Sequence, residues 1–206
     1  MARQDDGSGR APVVIVRPTT SVTSGIAVTQ KLVGAAVAFG DILRRTYGPN
    51  GLDKMMYKTN GENAITNDGA KIVSELLVKH PAAKAFVQLA ESQENACGDG
   101  VTGCLLFASE LMREAGRLLD RGIHPLVLVE AFQHSLDQVL DIVEARTRLV
   151  SDAERLSIVA QTAMVGKSAE SGGANLARLL VEAMETVQEA GKPVRAEHIR
   201  MVKRGR

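Results

Sequence analysis

An acidic residue lies between two glycines in the segment Gly98-Asp99-Gly100, directly before a stretch with the pattern of a helix. Glycines let the backbone turn so that amide N–H groups converge near the carboxylate. Apolar residues between Val101 and Ala115 recur at intervals of three and four, which predicts a helix whose positively polarised end faces the same point. Because amides bind phosphate oxygens and a carboxylate binds Mg²⁺, the sequence predicts a site for a metal ion and phosphates.

Two other nucleotide-binding patterns occur in the chain, and both are rejected. Residues 98–103 fit the G-x-G-x-x-G dinucleotide fingerprint, and Asp120 follows about 20 residues later. That fingerprint requires a preceding strand, whereas residues 82–93 are spaced as an amphipathic helix. Residues 166–168 resemble the end of a P-loop, but Gln161 occupies the position of its first glycine and no strand pattern precedes it.

The composition indicates a soluble, mainly helical protein that does not bind nucleic acid. The 206 residues are 45% hydrophobic and 24% charged, which is enough to bury a core. Aromatic residues make up only 3%, so the core must be aliphatic, and the stacking rings of a single-strand nucleic-acid platform are missing. The net charge of +1 gives no basic field. The basic stretch at residues 192–206 is interpreted as a solvated terminus.

The cysteines and the apolar runs bear on the cellular compartment. Cys97 and Cys104 flank the glycine loop at a spacing that fits no zinc pattern, and two thiols suit a reducing cytoplasm. Residues 1–10 are polar and lack the apolar region of a signal peptide. No uninterrupted apolar run reaches the ~18 residues of a membrane helix, so we expect a cytoplasmic protein without a membrane partner.

The rest of the chain is predicted to form helices and one β-hairpin. We expect disorder in residues 1–12, an edge strand at 13–16 and a hairpin of strands 54–57 and 64–66. A helix beginning at residues 67–69 should carry Ile72, Val73, Leu76 and Leu77, and a final strand is expected at 198–202. The other predicted helices cover residues 28–46, 82–93, 101–119, 126–143, 157–164 and 176–187.

Five motifs, in this order and spacing, resemble the group II chaperonins, which are the archaeal thermosome and the eukaryotic cytosolic chaperonin. They are TYGPNGLDKM, ITNDGAKI, HPAAK, GDGVTG and GIHP, and the resemblance covers about residues 13–203. It implies a mainly α fold: an equatorial ATP-binding helical bundle with a small β-hairpin in residues 13–146. Residues 147–206 would be the first part of an α/β intermediate domain, ahead of an apical domain.

The resemblance also implies roles for individual residues. Asp99 would bind Mg²⁺ between phosphate oxygens, Asp68 would orient the attacking water near the γ-phosphate of ATP, and Lys167 would sense that phosphate. Val101 departs from the family's usual threonine, and the lost hydroxyl would weaken binding by ~1 kcal/mol, the typical net value of a hydrogen bond. The nucleotide-binding residues would be Thr46, Gly48, Pro49, Asn67, Gly69, Gly98, Gly100, Val101, Thr102, Gly103, Gly166 and Lys167.

Two functions remain open at this point. The resemblance implies an ATP-hydrolysing chaperonin subunit that assembles with other subunits in a double ring and folds unfolded client proteins. The family chain continues through an apical domain and returns with further catalytic residues, so we expect these 206 residues to lack groups that turnover requires. The alternative is a non-catalytic chaperonin-like protein that binds nucleotide or chaperonin subunits without hydrolysis.

Overall fold

Long helices dominate the computed structural model, which describes residues 23–57, 61–76, 78 and 80–202. The predictions of a disordered tail at 1–12 and a strand at 13–16 fall outside these residues. The predicted mainly α fold with one small hairpin is confirmed. The α-helices are α1 (Ile26–Arg44), α2 (Gly69–Glu75), α3 (Pro81–Cys97), α4 (Val101–Asp120), α5 (Pro125–Arg146), α6 (Ala153–Met164) and α7 (Gly173–Val187).

The hairpin lies close to the predicted positions. Strand β1 (Lys54–Tyr57) pairs antiparallel with β2 (Asn63–Thr66), and Met55 faces Ile65 across the pair. Side chains alternate between the two faces, so Met56 packs against the helices while Met55 is exposed. The hairpin thus joins the end of α1 to the start of α2 and is attached to the core by one face.

Histidine-proline pairs start two of the long helices. Pro81 and Pro125 each occupy the first turn, where the missing N–H of proline has no cost. The preceding residues, His80 and His124, accept hydrogen bonds through Nδ1 from the amides of Ala82 and Leu126, at 3.2 and 3.3 Å. These local signals fix where α3 and α5 begin.

The core forms where α1 packs antiparallel on α4, with α2 and α3 alongside. A Cβ on Gly40 would lie 2.0 Å from Ser109 Oγ, and one on Gly116 would lie 2.8 Å from Val33 Cγ1, so the two helices meet at side chains of minimal size. The rings of Phe39 and Phe86 lie 5.5 Å apart. The buried residues of this core are Ala36, Phe39, Leu43, Ile72, Val73, Ala83, Phe86, Ala90, Val101 and Leu105.

Helices α6 and α7 form a second packed group. They pair with each other through buried Met164, Ala177 and Val181, and a 3₁₀ turn (Ser168–Gly172) joins them. Within the described residues, neither helix packs extensively on α1 to α4. The division of the chain at residue 146 into equatorial and intermediate domains stays a prediction.

Two sequence predictions differ from the structure. The expected strand at 198–202 is wrong, because a 3₁₀ turn (Ala196–His198) is followed by residues without strand pairing. A strand needs a neighbour for its backbone N–H and C=O groups, and no described segment provides one there. Helix α2 ends at Glu75 rather than continuing through Leu76, whose backbone is extended. Leu77 lies outside the described residues.

Helix α1 is long and apolar enough, by length and composition alone, to cross a membrane. It reaches this criterion although it contains Lys31 and Asp41. Four of its residues, Phe39 and Leu43 among them, are buried in the described structure.

Helix α5 exposes most of its apolar side chains. Leu128 is its one buried residue among those described, although α5 is 22 residues long. The exposed apolar residues at three- and four-residue spacing are Val129, Phe132, Leu136, Val139 and Val143. Apolar surface of this extent is typical of a face that another element covers.

We expect the exposed α5 stripe to drive self-association of the 206-residue chain. Leu136→Glu places a charge on the stripe and should shift the population toward monomer, whereas Gln138→Glu adds the same charge beside it and should not. Sedimentation velocity over a concentration series measures both. A wild-type chain that stays monomeric at every concentration would contradict this prediction.

Candidate functional site

Four loops form a connected set of contacts that includes the N-terminal end of α4. We name them L1 (residues 45–53, between α1 and β1), L2 (67–68, between β2 and α2), L3 (98–100, between α3 and α4) and L4 (165–167, after α6). All of the site residues predicted from the sequence lie in these loops or in the first turn of the helix that follows. Their roles toward a ligand remain predictions.

Three close approaches show how the loops meet. A Cβ on Gly69 would lie 2.2 Å from Thr102 Oγ1, so the start of α2 touches the start of α4. A Cβ on Gly103 would lie 3.5 Å from the Tyr47 hydroxyl, which brings L1 against the same turn. Tyr47 is not among the site residues predicted from the sequence, because nothing in its local pattern separates it from other turn residues.

L4 reaches the other loops through Gly166. The side-chain amide of Asn67 donates a hydrogen bond to the Gly166 carbonyl oxygen, with Nδ2 and O 2.7 Å apart. A Cβ on Gly166 would lie 3.6 Å from the Pro49 carbonyl oxygen. The structure therefore brings L1, L2 and L4 together, although Asn67 and Gly166 are 99 residues apart in the sequence.

L1 is held in shape by its own backbone. Thr46 is buried, and its hydroxyl donates to the Leu43 carbonyl oxygen at 2.7 Å. The amide of Gly51 donates to the Gly48 carbonyl at 2.9 Å, and that of Leu52 donates to the Arg45 carbonyl at 2.8 Å. The Thr46 hydroxyl thus closes the end of α1, which leaves it without a proton to donate to a ligand in this arrangement.

L3 depends on the two glycines that flank Asp99. Gly98 and Gly100 have φ angles of 67° and 81°, a region that residues with a Cβ rarely occupy. The Gly98 amide closes α3 by donating to the Glu94 carbonyl at 2.8 Å. The Gln93 side chain donates to the Asp99 carbonyl oxygen at 2.9 Å and holds the loop from the α3 side. The predicted glycine turn before a helix is confirmed.

The Asp99 carboxylate does not cap α4. The capping residue is Gly100, and no side chain accepts a hydrogen bond from the first turn. The first intrahelical bond runs from the Cys104 amide to the Gly100 carbonyl at 2.9 Å, so the amides of Val101, Thr102 and Gly103 precede it. An exposed carboxylate beside three helix N-terminal amides can bind a cation and an anion together.

Asp68, in contrast, does cap a helix. Its Oδ1 accepts a hydrogen bond from the Ala70 amide at 3.0 Å, and its own amide donates to Thr66 Oγ1 at 3.1 Å. This arrangement stabilises α2, and a cap of this type contributes about 1 kcal/mol. Asp68 therefore has a structural role as the cap of α2, and a role in ligand binding would be a second one.

Lys167 is exposed in L4 and follows the turn at Gly166 directly. The Gly166 backbone has φ of 74°, and its amide donates to Glu170 Oε2 at 2.9 Å. The Lys167 amide donates to the Met164 carbonyl at 3.1 Å. Helix α6 rather than a strand precedes this turn, which confirms the rejection of a P-loop. Helix α3 before L3 likewise confirms the rejection of a dinucleotide fingerprint.

The two cysteines on either side of L3 differ in exposure. Cys97 is exposed at the end of α3, whereas Cys104 is partly buried in the first turns of α4. Burial raises the pKa of the Cys104 thiol, and the nearby Cys97 raises it further. A higher pKa lowers the fraction of reactive thiolate near neutral pH.

We therefore predict that a maleimide or iodoacetamide labels Cys97 before Cys104 at pH 7, and that Cys104 labelling accelerates as the pH rises. Mass spectrometry of peptides from a time course measures both rates, and Cys97→Ser reports Cys104 alone. Equal rates for the two thiols at pH 7 would contradict the prediction.

A mainly helical fold with a small two-stranded hairpin is consistent with a chaperonin equatorial domain. Residues 39–205 match the model of the TCP-1/cpn60 chaperonin family. The chain belongs to this family, and the predicted relationship to group II chaperonins is confirmed.

Similar curated proteins include thermosome subunits. The chain is 38% identical over 180 residues to thermosome subunit beta of Aeropyrum pernix, covering 86% of this chain and 33% of that protein. It is 36% identical over 184 residues to thermosome subunit alpha of Methanothermobacter thermautotrophicus, covering 89% and 34%. The chain thus spans about a third of the length of the curated relatives it matches.

Proposed function

We propose that this chain is the Mg-ATP-binding part of an ATP-dependent chaperonin subunit that assists the folding of unfolded client proteins. The observation that carries the proposal is the uncapped Asp99 carboxylate beside the amides of residues 101–103, with L1, L2 and L4 around them. Membership of the chaperonin family supplies the chaperone class. ATP, magnesium and client folding are the proposed additions.

The residues of L3 fit a magnesium ion that arrives with its nucleotide. The described residues contain no group of three or more His, Cys, Asp or Glu side chains placed to hold a metal by themselves. Mg²⁺ is commonly bound by one or two carboxylates together with phosphate oxygens and water. Asp99 would provide that carboxylate, and the bound ion would neutralise phosphate charge. The amides of Val101, Thr102 and Gly103 would orient the phosphates.

The remaining loops would complete the pocket. Thr46, Gly48 and Pro49 in L1 would line the nucleotide, and Lys167 in L4 would attract its terminal phosphate by charge. Asp68 would keep Oδ1 on the Ala70 amide and use Oδ2 to orient a water molecule. Phosphoryl transfer needs chiefly such positioning and charge neutralisation, so these groups suit ATP hydrolysis.

A second candidate function is nucleotide binding without hydrolysis. The observation that favours it is the capping bond of Asp68, which accounts for this carboxylate without any catalytic role. In this case the chain would bind nucleotide or other chaperonin subunits and release no phosphate.

The names of the relatives support a proposal about the assembly of this chain. These are named as alpha and beta subunits of a thermosome, which supports assembly of this chain with other chaperonin subunits. We propose a double ring of like or different subunits as the assembly, unfolded proteins as clients and the cytoplasm as the compartment.

Asp99→Ala should abolish Mg²⁺-dependent ATP binding, because it removes the one carboxylate of L3. Calorimetry with and without EDTA measures the binding, and Asp137→Ala on the exposed face of α5 is the matched control. Wild-type affinity in the Asp99 variant would refute the proposed metal role, and no binding by the wild-type chain would refute the proposed function.

Asp68→Asn separates the capping role of this residue from its proposed catalytic role. Asparagine caps a helix about as well as aspartate, so thermal stability should stay near wild type while phosphate release falls to background. Asp68→Ala should lower both, with about 1 kcal/mol lost from the free energy of unfolding. Wild-type phosphate release no higher than that of Asp68→Ala would contradict a catalytic role of Asp68 in this chain and favour the non-catalytic alternative.

A further inference from the structure

The bond between Asn67 and Gly166 joins two parts of the molecule whose described helices make few contacts with each other. One part is the core of α1 to α4 with its hairpin, and the other is the pair α6 and α7 with the 3₁₀ turn between them. Helix α5 and residues 147–152 connect the two along the chain, but α5 does not pack extensively on either part. A contact at L4 therefore has a large share in fixing how the second part meets the first.

Gly166 is seated between L1 and L2. Its carbonyl accepts the hydrogen bond from Asn67 Nδ2 at 2.7 Å, and a Cβ at this position would lie 3.6 Å from the Pro49 carbonyl. Gly166 has a positive φ, and its amide donates a hydrogen bond to Glu170 Oε2. Glycine is needed because this backbone conformation is strained for residues with a Cβ.

Neither neighbouring element needs the side chain of Asn67. Strand β2 ends at Thr66, one residue earlier, and the cap of α2 is supplied by Asp68. The Asn67 amide makes its recorded bond to a residue 99 positions away. Because the Asn67 side chain bonds to neither β2 nor α2, we infer that it stabilises the tertiary structure.

We propose that Asn67 is a positioning residue that fastens L4 to the candidate nucleotide site and so holds Lys167 beside the phosphate-binding loops. Lys167 directly follows the residue that Asn67 holds, so loss of the bond would free the segment that carries its ammonium group. The α6–α7 part would then no longer respond to a nucleotide bound in the candidate site. The nucleotide half of this inference rests on the proposed function, whereas the bond itself can be tested without nucleotide.

Hydrogen exchange of the nucleotide-free chain tests the bond. Asn67→Ala removes the donor, and Asn67→Asp keeps the shape but replaces the donor with an acceptor that faces the Gly166 carbonyl. Both variants should speed exchange in residues 162–173 by about fivefold, the effect of losing a bond of ~1 kcal/mol. Asn175→Ala, at an exposed position of α7, is the matched control and should leave the rates unchanged.

Unchanged exchange in both Asn67 variants would overturn the positioning role. If far-ultraviolet circular dichroism shows that Asn67→Ala does not fold, the exchange rates of the nearly isosteric Asn67→Asp variant test the positioning role. Faster exchange throughout the core helices, rather than in residues 162–173, would show a general loss of stability and would also overturn the proposal.

Calorimetry with Mg-ATP and Mg-ADP tests whether Asn67 places Lys167 near a bound nucleotide. Asn67→Ala should weaken ATP binding by about fivefold and ADP binding by less than about twofold, because Lys167 acts on the additional phosphate. A merely structural role would weaken both equally, and that result would overturn the placement of Lys167. A wild-type chain that binds neither nucleotide would refute the proposed function, while the exchange rates would still decide whether Asn67 fastens L4.

Discussion

The close antiparallel packing of α1 on α4 is the constraint on which the candidate site depends. Gly40 meets Ser109 and Gly116 meets Val33, so contacts between the two helices recur in steps of seven residues. Tyr47, just beyond α1 and seven residues after Gly40, lies against Gly103 in the first turn of α4, six residues before Ser109. Two helices that pack at side chains of minimal size have little freedom to slide, because a shift would drive larger side chains into these positions. The register of the core therefore sets L1 beside L3.

Local backbone geometry gives the two aspartates, Asp68 and Asp99, different roles, although their sequence contexts are similar. Each stands just before a glycine at the start of a helix, yet Asp68 caps α2 whereas Asp99 leaves α4 uncapped. The difference follows from the residue that occupies the capping position. Asp68 is that residue in α2, and Gly100 is that residue in α4. The carboxylate of Asp99 thus remains exposed beside helix amides, which suits a metal bound together with phosphates.

The part of the molecule beyond α4 is organised more loosely. Helix α5 carries an apolar stripe with little cover, and the α6–α7 pair has its own small core. Contacts such as the one from Asn67 to Gly166 are exposed and individually weak, so they suit a connection that forms and breaks more readily than a buried core does. The chain spans about a third of the length of its relatives, and a surface that covers the exposed stripe would add stability by burying its apolar side chains.

The sequence by itself determined the local structure, because helix periodicity, the two histidine-proline starts and the glycine turns act within a few residues. It located the hairpin and the turn at Asp99, but it failed for residues 198–202, where a strand needs a distant partner. The family motifs indicated which loops belong to one site. Only the tertiary structure decided that Tyr47 contacts Gly103 and that Asn67 binds Gly166, because such contacts depend on helix register and on chain segments about 100 residues apart.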